Sequence, residues 1–185
     1  MLRSLTGIGP VSRATLTADT LPNRTYIWLA RLPTRTTLVA LMELSDLYSD
    51  KILEIAANQP VPGRLAQPDA SARKSSRICG SIVEVDVALD GETISGYGHE
   101  ISACALGQTS AAIVARQVVG TPVAEFRRVR EEMTAMLKAG GPPPAGARWG
   151  DLRYLEPVRE FPNRHASTLL VFDAVCDAID KAASR

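Results

Sequence analysis

Cys79, Cys104 and His165 are the residues of this chain best suited to chemistry. Two soft thiolates and one imidazole make a donor set for a transition metal. A thiolate is also the nucleophile that takes up transferable sulfur. Cys79 opens Cys79-Gly80-Ser81, and glycine permits the tight turn that points a cysteine outward. Cys104 stands just before the small-residue run Ala105–Ala112, where a strand gives way to a helix. A helix N-terminus favours negative charge, which suits a thiol that is to act as ligand or nucleophile. His165 opens His165-Ala166-Ser167 ahead of the last helical stretch, where a neutral imidazole offers a ring nitrogen to a metal. Each residue has a plainer reading. A free cysteine packs as a small hydrophobe, small residues serve helix–sheet packing, and a single histidine often caps a helix or faces water. His99 lies in a strand five residues before Cys104, an odd offset that places it on the opposite face as a packed or exposed side chain. Cys176 falls on the apolar stripe of the last helix and reads as core.

The elements that position these residues follow from periodicity. Leu44, Leu47, Tyr48, Ile52 and Ile55 form a helical stripe that Ser45 can cap, and Pro60-Val61-Pro62-Gly63 ends it. Asp69–Arg77 reads as a strand or extended edge. Val83, Val85, Val87 and Leu89 alternate with Glu84, Asp86 and Ala88 in a clear strand over 81–89. Asp90-Gly91 signals a two-residue hairpin, and Thr93–Ser102 is the return strand. Beyond Cys104 the chain is helical. Ala105–Val119 holds Arg116 as its one charge and should be buried, and Gly120 ends it. Thr121-Pro122 starts the next helix, with Thr121 as cap and Pro122 at the first position. Its apolar face is Val123, Phe126, Val129, Met133 and Leu137, while Arg127–Glu131 and Arg128–Glu132 pair on the wet face. Gly140-Gly141-Pro142-Pro143-Pro144 is a stiff break, a short amphipathic piece runs over Trp149–Leu155, and the last helix spans about Ala166 to Ala182. Strands followed by helices predict an α+β fold: an antiparallel β-meander of about three strands with helices packed on one face.

The chain has 185 residues, 45% hydrophobic and 22% charged, which suits one globular domain with a real core. No run approaches the ~20 apolar residues of a membrane span. The net charge of +1 hides an asymmetry: residues 1–42 hold five arginines and a single acid, Asp19. The rest carries 16 basic and 19 acidic groups, which argues against a nucleic-acid footprint. Three cysteines with no CxxC pair argue against a disulfide framework and for a reducing compartment. Residues 1–41 read as an unstructured or non-native leader, with Met42 as the working start and 42–185 as the single domain. The alternative is an organelle transit peptide, so the expected compartment is the cytoplasm, or an organelle matrix if that leader is genuine.

From about Leu47 to Ile179 the chain resembles the U-type iron–sulfur cluster scaffold family, whose branches are IscU, SufU and the NifU N-terminal domain. Cys79-Gly80 resembles the first cysteine motif, with Ser81 where the family has Asp. Cys104 with Gly107, Thr109-Ser110-Ala111-Ala112 and Gly120 resembles the second cysteine and its Ser/Ala-rich helix. His165-Ala166-Ser167 resembles His-Cys-Ser, with Ala166 where the third cysteine belongs, and the stretch from about Ala139 to Val158 resembles the SufU insertion. The resemblance implies a SufU/IscU-like fold and a non-enzymatic scaffold or carrier. Such a protein accepts sulfur and iron and transfers a labile cluster. It implies a cysteine desulfurase and recipient iron–sulfur apoproteins as partners, with a homodimer allowed, and neither nucleic acid nor membrane. It leaves Cys79, Cys104 and His165 as ligands of a transient [2Fe-2S] cluster or of iron. Three ligands also suit zinc with an exogenous fourth, whereas a cluster needs completion by another ligand or a second chain. Two other readings stay open. One is a metal-free accessory or regulatory protein docking on the desulfurase, and the other is a zinc-bound sulfur relay.

Overall fold

Alternating valines build the centre of the molecule. Val83, Val85 and Val87 of β2 (Ile82–Asp90) point to one face and are fully buried there. β2 pairs antiparallel with β1 (Ala70–Ser75) on one side and with β3 (Thr93–Ser102) on the other, giving a three-stranded sheet in the order β1-β2-β3. The structure, a computed structural model, describes residues 48–60 and 63–184. The expected leader over 1–41, the boundary at Met42 and the cap at Ser45 lie outside the described residues.

Helices cover the valine face. They are α1 (Asp50–Ala57), α2 (Ala105–Gln117), α3 (Val123–Ala139) and α4 (Pro162–Ala183), with a 3-10 segment at Gly150–Glu160 before α4. α4 lies against β1 and β2 and also meets α2 and α3. Phe126 and Phe172 stack between α3 and α4, with Trp149 edge-on to Phe126. The fold is the expected α+β meander with helices on one face of the sheet.

Local chemistry moved several boundaries. Ser49 accepts from the Ile52 N–H and caps α1 at Asp50. The β2–β3 hairpin pairs Asp90 with Thr93, so its two loop residues are Gly91 and Glu92 rather than Asp90 and Gly91. Gly91 takes the positive φ of 56° that the turn demands. Thr121 does not cap α3; its hydroxyl donates to the Gln117 carbonyl, and Pro122 is the N-cap. Arg128 pairs with Glu132 as expected, but Arg127 reaches Asp180 and Arg130 reaches Asp173, tying α3 to α4. α4 begins at Pro162, so His165 sits in its first turns rather than before it.

The opposite face of the sheet carries a strap. Residues 63–65 cross it at Gly98, where a Cβ would lie 2.4 Å from the Gly63 carbonyl oxygen. The Arg64 guanidinium grips buried Asp86 with two bonds, Nε to Oδ2 at 2.6 Å and Nη2 to Oδ1 at 2.7 Å. Ser71 Oγ and the Leu65 N–H also donate to Asp86. Four donors hold this carboxylate ionised with its acidity raised, down to about 2.

Candidate thiol site

The β1–β2 connection is a tight turn over Arg77–Gly80. The Ser76 N–H donates to the Ser81 carbonyl at 2.8 Å and the Gly80 N–H to the Ser76 carbonyl at 2.9 Å. Gly80 has φ 70°, which glycine supplies without steric cost. This turn carries Cys79 beside the exposed Ile78 and Gly80. Cys79 Sγ lies 3.0 Å from Ser81 Oγ, and Ser81 is only 2% exposed. Ser76 is 5% exposed and lies near the same sulfur, and its buried Oγ makes no hydrogen bond among the described residues. Burial alone would push the Cys79 thiol up. The Ser81 hydroxyl at 3.0 Å and the nearby hydroxyls of Ser76 and Ser167 favour the thiolate, outweigh burial and bring the group down to about 7.

Cys104 ends the run out of β3 and is the N-cap of α2, with no side-chain capping bond of its own. It packs against the apolar core, and its Sγ donates to Ser167 Oγ at 3.7 Å. Gly107 makes this meeting possible. A Cβ there would lie 2.8 Å from Ala103 Cβ and 3.2 Å from the Ser167 carbonyl oxygen, so glycine eases the approach of α2 to α4. Ser167 is 1% exposed and donates in turn to the Arg164 carbonyl at 2.9 Å. One buried hydroxyl therefore neighbours both thiols, which come from elements on either side of β2 and β3.

His165 belongs to a different contact. Its Nε2 lies 3.1 Å from the carbonyl oxygens of Val158 and Arg159. Carbonyls only accept, so Nε2 carries the proton and Nδ1 keeps the lone pair. Among the described residues, no three His, Cys, Asp or Glu side chains come together in an arrangement that could hold a metal ion. The structure thus brings Cys79 and Cys104 to Ser167 and does not add His165 to them as a third ligand. Ala166 is exposed.

The remaining candidates stand apart from this site. His99 is buried on the valine face, opposite Val85 in register, and burial lowers its basicity. Cys176 is half-buried at a polar cleft of about 430 Å³, among Arg127, Arg130, Asp173 and Asp180. Burial pushes its thiol up to about 11. Sequence reasoning missed Ser76 and Ser167. The signal was present in the serines flanking Cys79 and following His165, but it needed the turn and the true start of α4 to be read.

A three-stranded antiparallel meander backed by helices, with a cysteine in its first turn and another at the start of the helix that follows, is the arrangement to compare with known proteins. A crystal structure of a nitrogen-fixing NifU-like protein (N-terminal) from Brucella abortus is 45% identical to this chain, with a TM-score of 0.75, covering 77% of this chain and 99% of that one. The chain belongs to this NifU-like N-terminal family of iron–sulfur cluster assembly scaffolds. The iron–sulfur cluster assembly scaffold protein IscU of Streptococcus pyogenes serotype M1 is 23% identical over 146 residues, covering 79% of this chain and 91% of that protein. An iron–sulfur cluster assembly scaffold protein for the SUF system from Fervidobacterium islandicum shares the fold at 20% identity and a TM-score of 0.66, covering 72% of this chain and 96% of that one. No protein-family profile matches the chain. No helix among the described residues is long and apolar enough to cross a membrane.

Proposed function

We propose that this chain receives sulfur and iron at the Cys79–Cys104 pair and passes a labile cluster to recipient apoproteins. The observation that carries this reading is the meeting of two thiols from separate elements at one buried hydroxyl, Ser167, within the scaffold fold. The cluster, a [2Fe-2S] unit or its iron precursor, is cargo rather than a resident cofactor. Cys79 and Cys104 are its thiolate ligands. His165 is held at the Val158 and Arg159 carbonyls outside this pair, and it joins them as the nitrogen donor, through Nδ1, only if the start of α4 shifts toward the thiols. A cysteine desulfurase is the sulfur-delivering partner. A ligand set this sparse favours hand-over above storage, and an exogenous ligand or a second copy of the chain would complete it.

Ala166 and Ser81 favour a second reading. Neither provides the ligand that the family pattern has there, so the chain would dock on the desulfurase without metal, as an accessory protein. A zinc-bound sulfur relay is the intermediate case. Anaerobic reconstitution with ferrous iron and sulfide, with a parallel zinc arm, separates the three. Iron and acid-labile sulfide that disappear in Cys104→Ser support the scaffold. Zinc alone supports the relay. Neither metal nor sulfide, with desulfurase rates unchanged by Cys104→Ser, supports the accessory protein.

A further inference from the structure

We propose that the outer edge of β1 and the flank of α4 form a docking groove for an acidic, extended segment of a partner protein, which adds to the sheet as a fourth strand. The groove is separate from the Cys79–Cys104 pair, and the proposal stands whether or not that pair carries a cluster.

β1 is an end strand: β2 pairs with it on one side, and among the described residues no strand pairs with it on the other. Antiparallel bonding turns every second residue away from the neighbouring strand. The Ser76 N–H donates to the Ser81 carbonyl at 2.8 Å, so position 76 faces β2. By alternation Ser71, Arg73 and Ser75 turn their backbone groups outward. The Ser71 carbonyl shows this directly, since its bond comes from Lys181 Nζ on α4, at 3.3 Å, and not from a strand. Beside this edge the surface is grooved. One cleft of about 430 Å³ lies between Lys74 and the α4 residues Cys176, Asp177 and Asp180. Another of about 410 Å³ lies between Ala70, Ser71 and the α4 residues Asp180 and Lys181. The two adjoin at Asp180, so β1 forms one wall of a groove and the C-terminal half of α4 the other. An added peptide strand takes its main-chain bonds from such an edge and its side-chain preference from the groove beside it.

Charge selects the occupant. The aspartates of the groove are already paired: Asp173 with Arg130, Asp177 with Lys74 and Lys181, and Asp180 with Arg127. Arg73 is the least satisfied cation of β1. Its side chain is 64% exposed, and its ion pair is a 3.6 Å contact with Glu84, a carboxylate that Arg64 already holds at 2.7 Å. An acidic residue opposite Arg73 gains a cross-strand ion pair. A second copy of β1 would instead set Arg73 and Lys74 against the same two residues, the like-charge pairing by which edge strands resist self-association.

The test uses the full chain without metal and the capped peptide acetyl-Thr-Glu-Val-Glu-Val-Glu-Thr-amide. Amide hydrogen exchange followed by NMR reads the edge residue by residue. The peptide should slow exchange at Ser71, Arg73 and Ser75 and leave Ala72 and Lys74, which face β2, unchanged. It should also shield Cys176 from N-ethylmaleimide, read by peptide mass spectrometry. The same peptide with lysine for glutamate should give neither effect. So should one with proline for valine, which cannot donate to the Ser71 or Arg73 carbonyls. Arg73→Glu turns an attraction into a repulsion and should weaken binding about tenfold, while Arg73→Lys retains it. Ser75→Pro removes an outward N–H without changing charge and should weaken binding too, should Arg73→Glu fail to fold. No slowing at the three amides, or equal binding of the lysine peptide, overturns the proposal. Exchange at those amides that is already slow in the free chain, and slows further with protein concentration, assigns the edge to a second copy and overturns it as well.

Discussion

Cys104 Sγ and Ser167 Oγ lie 3.7 Å apart although 63 positions separate them in the chain. Gly107 leaves room for α2 to approach α4 at the Ser167 carbonyl, 3.2 Å from where a Cβ would lie. Ser167 therefore occupies the interior position of the site, while Ala166, where the sequence resemblance places a third cysteine, is exposed.

A thiol at position 167 should close the site better than one at position 166. Ser167→Cys places a third sulfur beside the two existing ones, whereas Ala166→Cys places it on the exposed side of the first turns of α4. Three thiolates form most of a structural zinc site. We expect Ser167→Cys to retain stoichiometric zinc against a competing chelator and Ala166→Cys to retain less. Metal counting after anaerobic dialysis measures this. Equal retention in the two variants would mean that α4 presents residue 166 to the site instead.

Much of the fold was legible because strand alternation and helix stripes are local. Thr93–Ser102 fell at its observed limits, and Phe126, Val129, Met133 and Leu137 of the expected α3 face are buried, with Val123 half-buried and Met136 added to them. What failed depended on contacts between distant parts of the chain. Arg127 had a proper partner four residues away, yet Asp180 on α4 took it. His165 was expected to precede a helix that in fact starts at Pro162, and the carbonyls of Val158 and Arg159 hold its ring. Cys79 and Cys104 were legible from their setting at turn and helix start. Ser76 and Ser167 were not, since a hydroxyl becomes part of a site only when the turn and the helix bring it to the sulfur.

Asp86 should make the fold acid-sensitive. Its carboxyl lies near 2 in the folded chain, chiefly through Arg64, against an ordinary value of about 4. A carboxyl depressed by folding adds stability that is complete above its unfolded value and lost as pH falls through its folded value. The window is therefore about pH 4 down to about pH 2. Asp86→Asn should cost about 2–4 kcal/mol at pH 7, where Arg64 loses its buried partner. It should cost much less at pH 2. Urea unfolding at both pH values checks this; an equal loss at the two would mean that packing, not charge, sets the cost.

Gly98 should resist substitution. In Gly98→Ala the new methyl meets the Gly63 carbonyl at 2.4 Å and the Leu65 N–H nitrogen at 3.0 Å. Both are backbone, so the strap must lift from the sheet and Arg64 must loosen from Asp86. The expected cost is about 1–3 kcal/mol, with new tryptic cleavage at Arg64. Ala88, paired with Gly96 on the same face, offers a comparison, because Ala88→Gly removes a methyl and adds no clash with the strap backbone. Cleavage at Arg64 in Gly98→Ala but not in Ala88→Gly is the predicted pattern.

His165 can be tested for a metal role apart from its structural one. Its Nε2–H answers two carbonyls, and Val158 is fully buried. His165→Ala removes that donor and should cost about 1–3 kcal/mol, whether or not metal ever binds. His165→Gln keeps an N–H donor at a similar reach but deletes the Nδ1 lone pair. If Nδ1 is a ligand, His165→Gln should melt close to the parent chain yet lose iron or zinc faster during gel filtration. A purely structural histidine gives the other pattern, in which His165→Gln keeps both stability and metal while His165→Ala loses stability alone. Thermal midpoints and metal content measured on the same three preparations decide between the two.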